Sequence, residues 1–485
     1  MNRKLIIRVL GALVCIEAAA MLPALILALI YGDGDFIPMV RSLVITLIAG
    51  AGMLLPNHRD PTAHLRLKEG YIITALGWIL MSVFGSLPFL FSGTLPRFED
   101  AFFETVSGLT TTGASVVTQF EGFPRGVMFW RATTHWIGGM GVLVLTLALL
   151  PKLTGRSAHL VKAESPGPSL SKLVPQTGKT AKILYTIYIG LTAAEFVALL
   201  VCGLTPYDAA VHALATAGTG GFSNYGASVA AFGSVAVEMV ISLFMFLFGV
   251  NFALYYKVLV GEGLRSFWKD EEFRWYLTIA LTGILLVSLF NLNYYRGDLL
   301  TSLRYGVFEI TSTMSTTGFV TADFSRWPAA SHMVIIIIMF IGSCAGSTAG
   351  GIKVVRFNML CKLSSRNISA TGQPKKVKVV RLDGKAVEES ILSQVAQFGF
   401  MYICLVLLGA FLLSAGGRFD VLTHLTASLT CVSNVGPGLG AVGPVNNFAG
   451  YNPSAKMVCS FLMLFGRLEL LPMFILFTKS AWHQY

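Results

Sequence analysis

The sequence is poor in charged residues and has no recognisable catalytic motif. Charged residues make up 13% of its 485 positions and hydrophobic residues 54%, a balance that ordinary soluble domains do not have. The seven cysteines stand singly, without a C-x-x-C pair, so we interpret them as small packing residues and not as a disulfide or metal framework. Motifs of zinc proteases, nucleophile elbows and Walker A loops do not occur in the sequence either. These absences disfavour an enzyme and leave a polytopic membrane protein.

The net charge of +11 is distributed like that of a membrane protein. Nine Lys and Arg residues lie between 353 and 385, whereas residues 203–232 contain none. Because basic residues concentrate in alternate loops, the positive-inside rule predicts that both chain termini are cytoplasmic. Arg3, Lys4 and Arg8 precede an apolar run that continues to Ile30, which is too long for the core of a signal peptide. We interpret the excess charge as a topology signal and not as a nucleic-acid site.

Apolar runs predict an all-α polytopic membrane protein with ten transmembrane helices, since a span needs about 20 mainly apolar residues. Two leading spans occupy 9–30 and 37–55. The other eight form pairs, at 71–91 and 126–150, 183–201 and 235–260, 275–292 and 332–361, and 391–413 and 454–477. Within each pair lies a shorter stretch, at 98–109, 207–217, 299–314 or 419–432. These stretches are too short to cross a bilayer and are interpreted as re-entrant half-helices.

A polar turn with a glycine follows each half-helix. The four glycines are Gly113, Gly220, Gly318 and Gly436, and they are 107, 98 and 118 residues apart. This spacing indicates internal repetition. We therefore divide the chain into two leading helices at 1–56, four pore repeats at 70–150, 178–261, 273–361 and 390–485, and a basic loop at 362–389.

The four turns predict a central ion pore. Non-helical backbone at membrane depth is tolerated only where it is buried in protein or lines a water-filled cavity. Glycine allows carbonyl groups to turn toward an axis and threonine adds hydroxyl oxygens, and together they can replace the hydration shell of a cation. The expected filter consists of Thr111, Thr112, Gly113, Thr219, Gly220, Thr316, Thr317, Gly318, Asn434, Val435 and Gly436. Because the fourth turn lacks threonine, we expect moderate selectivity.

Two glutamates, Glu104 and Glu309, each stand nine residues before a filter glycine. An ionisable group within a half-helix is costly and therefore suspected of a function. It can support the filter turns through hydrogen bonds from backbone N–H groups, or it can touch the ions directly. The sequence leaves both readings open.

A glycine-rich run interrupts the second helix of the third repeat. It consists of Gly342, Ser343, Cys344, Ala345, Gly346, Ser347, Thr348, Ala349, Gly350 and Gly351. Each glycine inside a helix costs about 1 kcal/mol relative to alanine, so the run favours a broken helix and a candidate gating loop below the filter. Close helix packing through small residues is the alternative.

Arg467 lies inside the last apolar run, where a permanent charge requires a cavity, a carbonyl cluster or a partner. It could donate to carbonyl groups freed by the glycine-rich run and place a positive barrier to cations there. A local pair with Glu469 is the alternative, and the two do not exclude each other.

The basic loop 362–389 is interpreted as a cytoplasmic docking surface. A solvated loop that merely obeys the topology rule is the alternative.

Several of these segments together resemble the Trk/Ktr/HKT superfamily of potassium transporters, and most closely its bacterial TrkH/TrkG branch. The resemblance covers nearly the whole chain. It rests on the turns at 108–114, 219–222 and 315–319, on the motif at 135–141, on the run at 344–353, and on Gly466-Arg467-Leu468-Glu469.

The resemblance implies K+ uptake across the bacterial inner membrane, with Rb+ as a further permeant ion and no organic cofactor. It also implies a homodimer on a cytoplasmic, TrkA-like ring of nucleotide-binding regulatory subunits, surrounded by membrane lipid and without a nucleic-acid partner. The glycines at 113, 220, 318 and 436 are implied as the filter glycines, the run 342–351 as the gating loop and Arg467 as its electrostatic partner. A secondary transporter of another cation such as Na+, or of a small solute, remains the alternative.

Overall fold

The computed structural model describes residues 3–55, 67–141, 177–373, 378–416 and 418–482. Within these ranges the regular secondary structure is helical apart from one short hairpin of two antiparallel strands, β1 (Arg381–Leu382) and β2 (Lys385–Ala386). The predicted all-helical class is therefore confirmed. Parts of three predicted segments, at 56–66, 142–176 and 374–377, lie outside the described residues.

The leading helices are α1 (Arg3–Ala20), α2 (Leu22–Tyr31) and α3 (Phe36–Leu54). Helices α1 and α2 meet at Met21 and together form one apolar span of 29 residues. Helix α1 packs closely on α3, because a β-carbon added at Gly11 would lie 2.8 Å from the carbonyl oxygen of Gly50. Small residues bring the two backbones together, as is typical of packing between membrane helices.

The remaining helices follow in the order predicted from the sequence. The described part of the chain before residue 270 contains α4 (Leu67–Gly85), α5 (Leu87–Ser92), α6 (Phe98–Leu109), α7 (Arg125–Gly139), α8 (Thr177–Val201), α9 (Pro206–Ala217), α10 (Val235–Phe248), α11 (Phe252–Lys257) and α12 (Arg265–Lys269). The part after it contains α13 (Glu271–Phe290), α14 (Leu299–Met314), α15 (Ala329–Ile341), α16 (Val354–Gly372), α17 (Glu389–Ser414), α18 (Val421–Ser433), α19 (Pro453–Arg467), α20 (Leu471–Leu476) and α21 (Lys479–Trp482).

Six helices among the described residues are long and apolar enough to cross a membrane, and one bent pair brings the number to seven. They are Arg3–Tyr31, Phe36–Leu54, Lys68–Ser92, Ala181–Val201, Glu271–Phe290 and Glu389–Ser414, together with the pair Val235–Phe248 and Phe252–Glu262. Their outer faces carry exposed Ile, Leu and Phe side chains, as expected for contact with lipid. The chain is thus a multi-pass membrane protein.

Within the described residues, the second helix of the predicted second and fourth repeats is interrupted, as well as that of the third. Helix α7 of the predicted first repeat ends at Gly139, α15 at Ile341 and α19 at Arg467. Helices α10 and α11 meet at 88°. The predictions of continuous spans at 235–260 and 454–477 were therefore wrong, whereas the interruption within 332–361 was predicted. Of the span predicted at 126–150, residues 142–150 lie outside the described part.

Local chemistry explains two of these interruptions. Between α10 and α11, the Asn251 side chain accepts a hydrogen bond from Ala253 N at 2.9 Å and caps the new helix. After α19, Glu469 and Leu470 adopt left-handed backbone with φ of 53° and 67°. A hydropathy pattern does not register such short irregular segments, because the flanking residues remain apolar.

Four shorter helices, α6, α9, α14 and α18, are the predicted half-helices, and most of their residues are buried. Side chains cap three of them: Thr205 for α9, Asp298 for α14 and Asp420 for α18. Hydrogen bonds from the side chain and backbone of Thr301 lower the pKa of Asp298, and those from Thr423 lower the pKa of Asp420. Both carboxylates therefore stay ionised at the positive ends of their helices.

Candidate functional site

The four turns that follow the half-helices share one backbone conformation. The first residue of each turn is left-handed, with φ of 55° at Thr111, 55° at Thr219, 57° at Thr316 and 56° at Asn434. The second residue donates its N–H to the carbonyl five residues earlier, at 2.8 Å from Thr112, 3.0 Å from Gly220, 2.9 Å from Thr317 and 3.1 Å from Val435. Left-handed backbone costs a non-glycine residue about 1–2 kcal/mol, and such strain is concentrated at functional sites.

The third residue of each turn is a glycine with positive φ, and this corrects the register of the second turn. The φ values are 79° at Gly113, 73° at Gly221, 77° at Gly318 and 106° at Gly436. Gly221, and not Gly220, is therefore equivalent to the other three glycines, and Gly220 occupies the position of Thr112, Thr317 and Val435. Because two glycines are adjacent, the sequence pattern alone fits either register. Phe222, which follows Gly221 as Phe319 follows Gly318, is the signal that could have decided it.

The turns contact each other in a closed cycle. A β-carbon added at Gly113 would lie 2.0 Å from Gly220 O, one at Gly221 2.0 Å from Thr317 O, one at Gly318 2.0 Å from Val435 O, and one at Gly436 2.7 Å from Thr112 O. Each third-position glycine thus abuts the second-position carbonyl of the next turn. We call these four turns the ring. Only glycine fits this spacing and this backbone.

The ring has an open side and a covered side. A cavity of about 250 Å³ borders the glycines at 113, 221, 318 and 436. The first-position residues Thr111, Thr219, Thr316 and Asn434 are fully buried. The Thr111 hydroxyl and the Asn434 amide oxygen have no hydrogen-bond partner within the described ranges. Uncompensated buried oxygens of this kind are suited to a cation that has lost its water.

Glu104 supports the ring from behind. Its carboxylate accepts hydrogen bonds from Val116 N and Ser115 Oγ, both at 2.9 Å, and from Arg131 Nε at 2.6 Å. Arg131 donates onward to Ser223 O at 2.9 Å, so this buried ion pair ties the residues after the first turn to those after the second. Among the two readings of Glu104, the geometry favours support through backbone N–H groups.

Glu309 lies in a different setting. It is buried and accepts a hydrogen bond from Thr313 Oγ1 of its own helix at 2.9 Å. The corrected register adds His212, which stands nine residues before Gly221 and is not among the residues predicted from the sequence. His212 Nε2 lies 3.0 Å from Ser223 Oγ, as Glu104 lies beside Ser115. Alignment on Gly221 would have identified this correspondence.

The glycine-rich run 342–351, which we call the loop, lies against the covered side of the ring. Gly350 N donates to Thr316 Oγ1 at 2.8 Å, and Ser343 Oγ donates to Met314 O at 2.8 Å. A β-carbon added at Gly350 would lie 2.3 Å from Ser433 O. The loop therefore contacts the ends of α14 and α18, opposite the cavity.

The other helix breaks surround the loop. Cys344 N donates to Gly249 O at 3.1 Å, and Phe252 N donates to Gly346 O at 3.1 Å. These bonds connect the loop to both sides of the break between α10 and α11. The irregular backbone thus satisfies part of its hydrogen-bonding capacity with irregular backbone of another repeat, as is required inside a membrane.

Arg467 joins three of these segments. Its Nη1 donates to Thr348 O at 2.6 Å, and its Nη2 donates to Gly138 O at 2.5 Å and Gly139 O at 2.6 Å. The structure thus places Arg467 beside carbonyl groups of the loop, as the first sequence reading expected. Glu469, the alternative partner, forms an ion pair with Arg356 at 2.5 Å. A second buried cation, Lys353, donates its Nζ to Ala349 O.

A multi-pass helical protein with a closed ring of backbone and hydroxyl oxygens belongs to the class of membrane proteins that pass cations. The comparisons give the family. The sequence matches the TrkH family model, described as a cation transport protein, over residues 38–484. The chain belongs to this family, which is one of transporters and not of enzymes, and the resemblance to its TrkH/TrkG branch is confirmed.

Individual relatives extend the match to the full chain. The sequence is 36% identical over 490 residues to the Trk system potassium uptake protein TrkH of Salmonella typhimurium, covering 100% of both chains. It is 34% identical to the Trk system potassium uptake protein TrkG of Escherichia coli, covering 97% of each. The crystal structure of the potassium transporter TrkH from Vibrio parahaemolyticus matches with a TM-score of 0.89, at 33% identity and with 100% of both chains covered.

Proposed function

We propose that this protein takes up K+ across the bacterial inner membrane through a central pore, with Rb+ as a second permeant ion. The observation that carries the proposal is the closed cycle of contacts among the four turns. Each turn offers oxygens to the same axis, and a set of backbone carbonyls can replace the hydration shell of K+. The names of full-length relatives, which are potassium uptake proteins, support the choice of ion.

The ring acts as the selectivity filter in this proposal. The residues assigned to it from the sequence are retained, and Gly221 is added in the position of the third-residue glycine. Glu104, Arg131 and His212 hold the turns in place without touching the ion. Glu309 supports the third half-helix through Thr313.

The loop acts as the gate, and Arg467 is its electrostatic partner. The loop lies across the covered side of the ring, where an ion that leaves the filter would arrive. Arg467 places a permanent positive charge on the same segment, which raises the barrier for a cation. Opening requires the loop to leave the carbonyl contacts that now hold it.

We further propose ten transmembrane helices arranged as two leading spans and four pore repeats, at 1–56, 70–150, 178–261, 273–361 and 390–485. An interrupted second helix counts as one crossing in this scheme. The shared backbone of the four turns supports the repeat relationship. The basic loop 362–389 and both termini are placed in the cytoplasm by the positive-inside rule.

The proposed assembly is a homodimer bound to a TrkA-like, nucleotide-binding regulatory ring. The relatives' designation as parts of a Trk system supports partner subunits in general. Within the basic loop, Lys378 and the hairpin residues Arg381 and Lys385 have exposed side chains, which suit a docking surface for an acidic partner face.

Growth of a K+-uptake-deficient bacterium at low external K+ tests the function. Expression of the protein together with the regulatory subunits is expected to restore growth. No rescue despite verified membrane expression would contradict the proposal, and influx of Na+ without influx of Rb+ in the same cells would favour the alternative of a Na+ transporter.

Two variants test the proposed filter and the proposed gate. Gly113→Ser is expected to relax the preference for K+ over Na+ in competition flux, because a β-carbon there meets Gly220 O at 2.0 Å. Deletion of residues 346–348 is expected to raise Rb+ flux into proteoliposomes by about tenfold, since it removes the Thr348 carbonyl that Arg467 holds.

A further inference from the structure

Glu272 is a buried carboxylate that touches the loop. It is the second residue of α13 and only 7% exposed. Its Oε1 accepts the N–H of Ala345 at 2.6 Å and the N–H of Val355 at 3.2 Å. Ala345 lies in the middle of the loop, and Val355 lies in the first turn of α16, which follows the loop. One carboxylate oxygen therefore joins the loop to the next helix.

The contact with α16 satisfies a need of that helix. The first N–H groups of a helix have no partner within it, and its N-terminus carries a partial positive charge. The residue before α16 is Lys353, whose side chain makes no capping bond. Glu272 provides the missing hydrogen-bond acceptor from another helix. Removal of this carboxylate would release the start of α16 and the loop together.

Glu272 and Arg467 act on the loop in complementary ways. Arg467 donates to a loop carbonyl, that of Thr348, at 2.6 Å. Glu272 accepts from a loop N–H, that of Ala345. Both groups belong to helices outside the loop. The loop is thus held by a donor on one part and by an acceptor on another.

A surface hairpin is joined to the residue next to Glu272. Glu271 N donates to Asp383 Oδ1 at 2.8 Å, and Asp383 N donates to Glu271 Oε2 at 3.2 Å. Asp383 forms the exposed turn between β1 and β2. Glu271 also accepts hydrogen bonds from Asn358 and Lys362 of α16. The hairpin, α16 and the start of α13 therefore meet within one residue of the loop contact.

We propose that Glu272 is a positioning residue of the loop, the hydrogen-bond-accepting counterpart of Arg467, and that the Glu271–Asp383 contact couples it to the β1–β2 hairpin. Displacement of the hairpin shifts the start of α13 and withdraws the carboxylate from Ala345. This assignment deepens the proposed function, on whose gating loop it rests.

The native Cys344 thiol provides a direct measure of the loop. It is adjacent to Ala345 and fully buried. In a background in which the other six cysteines are replaced by serine or alanine, the rate of modification of Cys344 by a small thiol reagent reports the release of the loop. Glu272→Ala is expected to raise this rate by ~10-fold, the effect of losing one buried hydrogen-bond acceptor. Glu272→Gln retains an acceptor and is expected to restore a rate near that of the parent.

Asp270→Asn is the matched control. The carboxyl groups of Asp270 and Glu272 both act on the Cys344 thiol, so each substitution removes one nearby acidic group. Asp270 caps α13 through Phe273 N, a role that asparagine keeps, and its capping bond does not involve the loop. A rate change in Asp270→Asn equal to that in Glu272→Ala would assign the effect to charge and overturn the proposal.

Asp383→Gly tests the coupling at an exposed position. The φ of Asp383 is 47°, a left-handed backbone that glycine adopts without strain. The variant is expected to raise Cys344 modification by about threefold, with an unchanged thermal midpoint. Unchanged modification in both Glu272→Ala and Asp383→Gly overturns the proposal, and if Glu272→Ala does not fold, unchanged modification in Asp383→Gly does so alone. Rb+ flux distinguishes the positioning role of Glu272 from the gating role of the loop. Faster modification with unchanged flux supports the positioning role and contradicts the gating role.

Discussion

The four turns of this protein are alike, whereas the three helix breaks within the described residues differ from one another. The turns share one left-handed first residue, one hydrogen-bond pattern and one third-position glycine. The breaks, which follow α10, α15 and α19, share only their place in the second helix of a predicted repeat. Residues 249–251 separate α10 from α11, whereas residues 342–353 separate α15 from α16. The four turns thus have a common structure, whereas the neighbouring helix breaks do not.

The difference reflects what the turns and the breaks each have to do. A dehydrated cation needs oxygens at similar distances on all sides, so a change in one turn affects the coordination made by the others. A barrier needs one obstruction, and a single long break can provide it while shorter breaks frame it. The ring is therefore constrained in all four repeats, and the loop is free to exist in one.

The largest effect is expected from a β-carbon in the ring. In Gly221→Ala the new atom would lie 2.0 Å from Thr317 O, at a backbone φ of 73°. The left-handed backbone alone costs alanine about 1–2 kcal/mol, and the overlap forces two turns apart. K+ uptake at low external K+ is expected to fall by at least ~100-fold.

Gly190→Ala is the control for that measurement, because a β-carbon there meets nothing within 4 Å and alanine favours the helix. Its uptake is expected to match that of the parent. Normal uptake by Gly221→Ala would show that the four turns are not rigidly packed against one another. It would contradict the view that the turns are more tightly constrained than the helix breaks.

A smaller effect, of opposite sign, is expected at the breaks. Arg467→Ala removes donors to Thr348 O, Gly138 O and Gly139 O, and the loop loses its cationic partner. Rb+ flux into proteoliposomes is expected to rise by about tenfold. Arg366→Ala removes an exposed pair with Glu389 and is expected to leave the flux unchanged, since exposed ion pairs contribute little. Equal fluxes in the two variants would contradict a role for Arg467 in the barrier.

The supports behind the ring test whether its four parts are held equally. Glu104→Gln breaks the buried contact with Arg131, and losing one partner of a buried ion pair costs about 3–5 kcal/mol. Part of this loss falls on the link between the first and second turns, and uptake is expected to fall about fivefold. Glu309→Gln retains an acceptor for Thr313 and is expected to stay within about twofold of the parent. Flux measured per folded protein, with folding checked by thermal melting, separates the two. A larger loss in Glu309→Gln would reverse this assignment of support.

The sequence predicted the turns well and the breaks poorly, and the reason is physical. A repeated Thr/Gly pattern is local, so the half-helices, the turns and the run 342–351 can be read from neighbouring residues. The breaks at 249–251 and 468–470 lie within apolar stretches, and hydropathy does not register backbone direction. The contacts of Glu272 with Ala345 and of Arg467 with Gly138 join residues far apart in the chain, and no local pattern encodes such pairs.

The register of the second turn illustrates the limit within a correct prediction. Gly220 and Gly221 are both glycines, and both lie in the ring. The φ of 73° at Gly221 and its contact with Thr317 O decide which of them occupies the third position, and the following Phe222 is the sequence signal that agrees with this assignment. The sequence pattern identified the turn, whereas the backbone conformation showed which glycine occupies which position in it.

The smallest effect is expected from making the fourth turn resemble the others. Asn434 stands where the other turns have threonine, and its Nδ2 donates to Thr112 Oγ1 at 2.9 Å and Met463 O at 3.0 Å. Threonine is accommodated at this left-handed position in three turns, so Asn434→Thr is expected to fold and to bring a fourth hydroxyl to the same level. More equivalent oxygens favour a cation of one size, and the preference for K+ over Na+ in competition flux is expected to rise by about twofold. A decrease would mean that the amide bonds to Thr112 and Met463 matter more than the symmetry of the oxygens. In that case the fourth turn, like the breaks, is a place where the repeats differ for a reason.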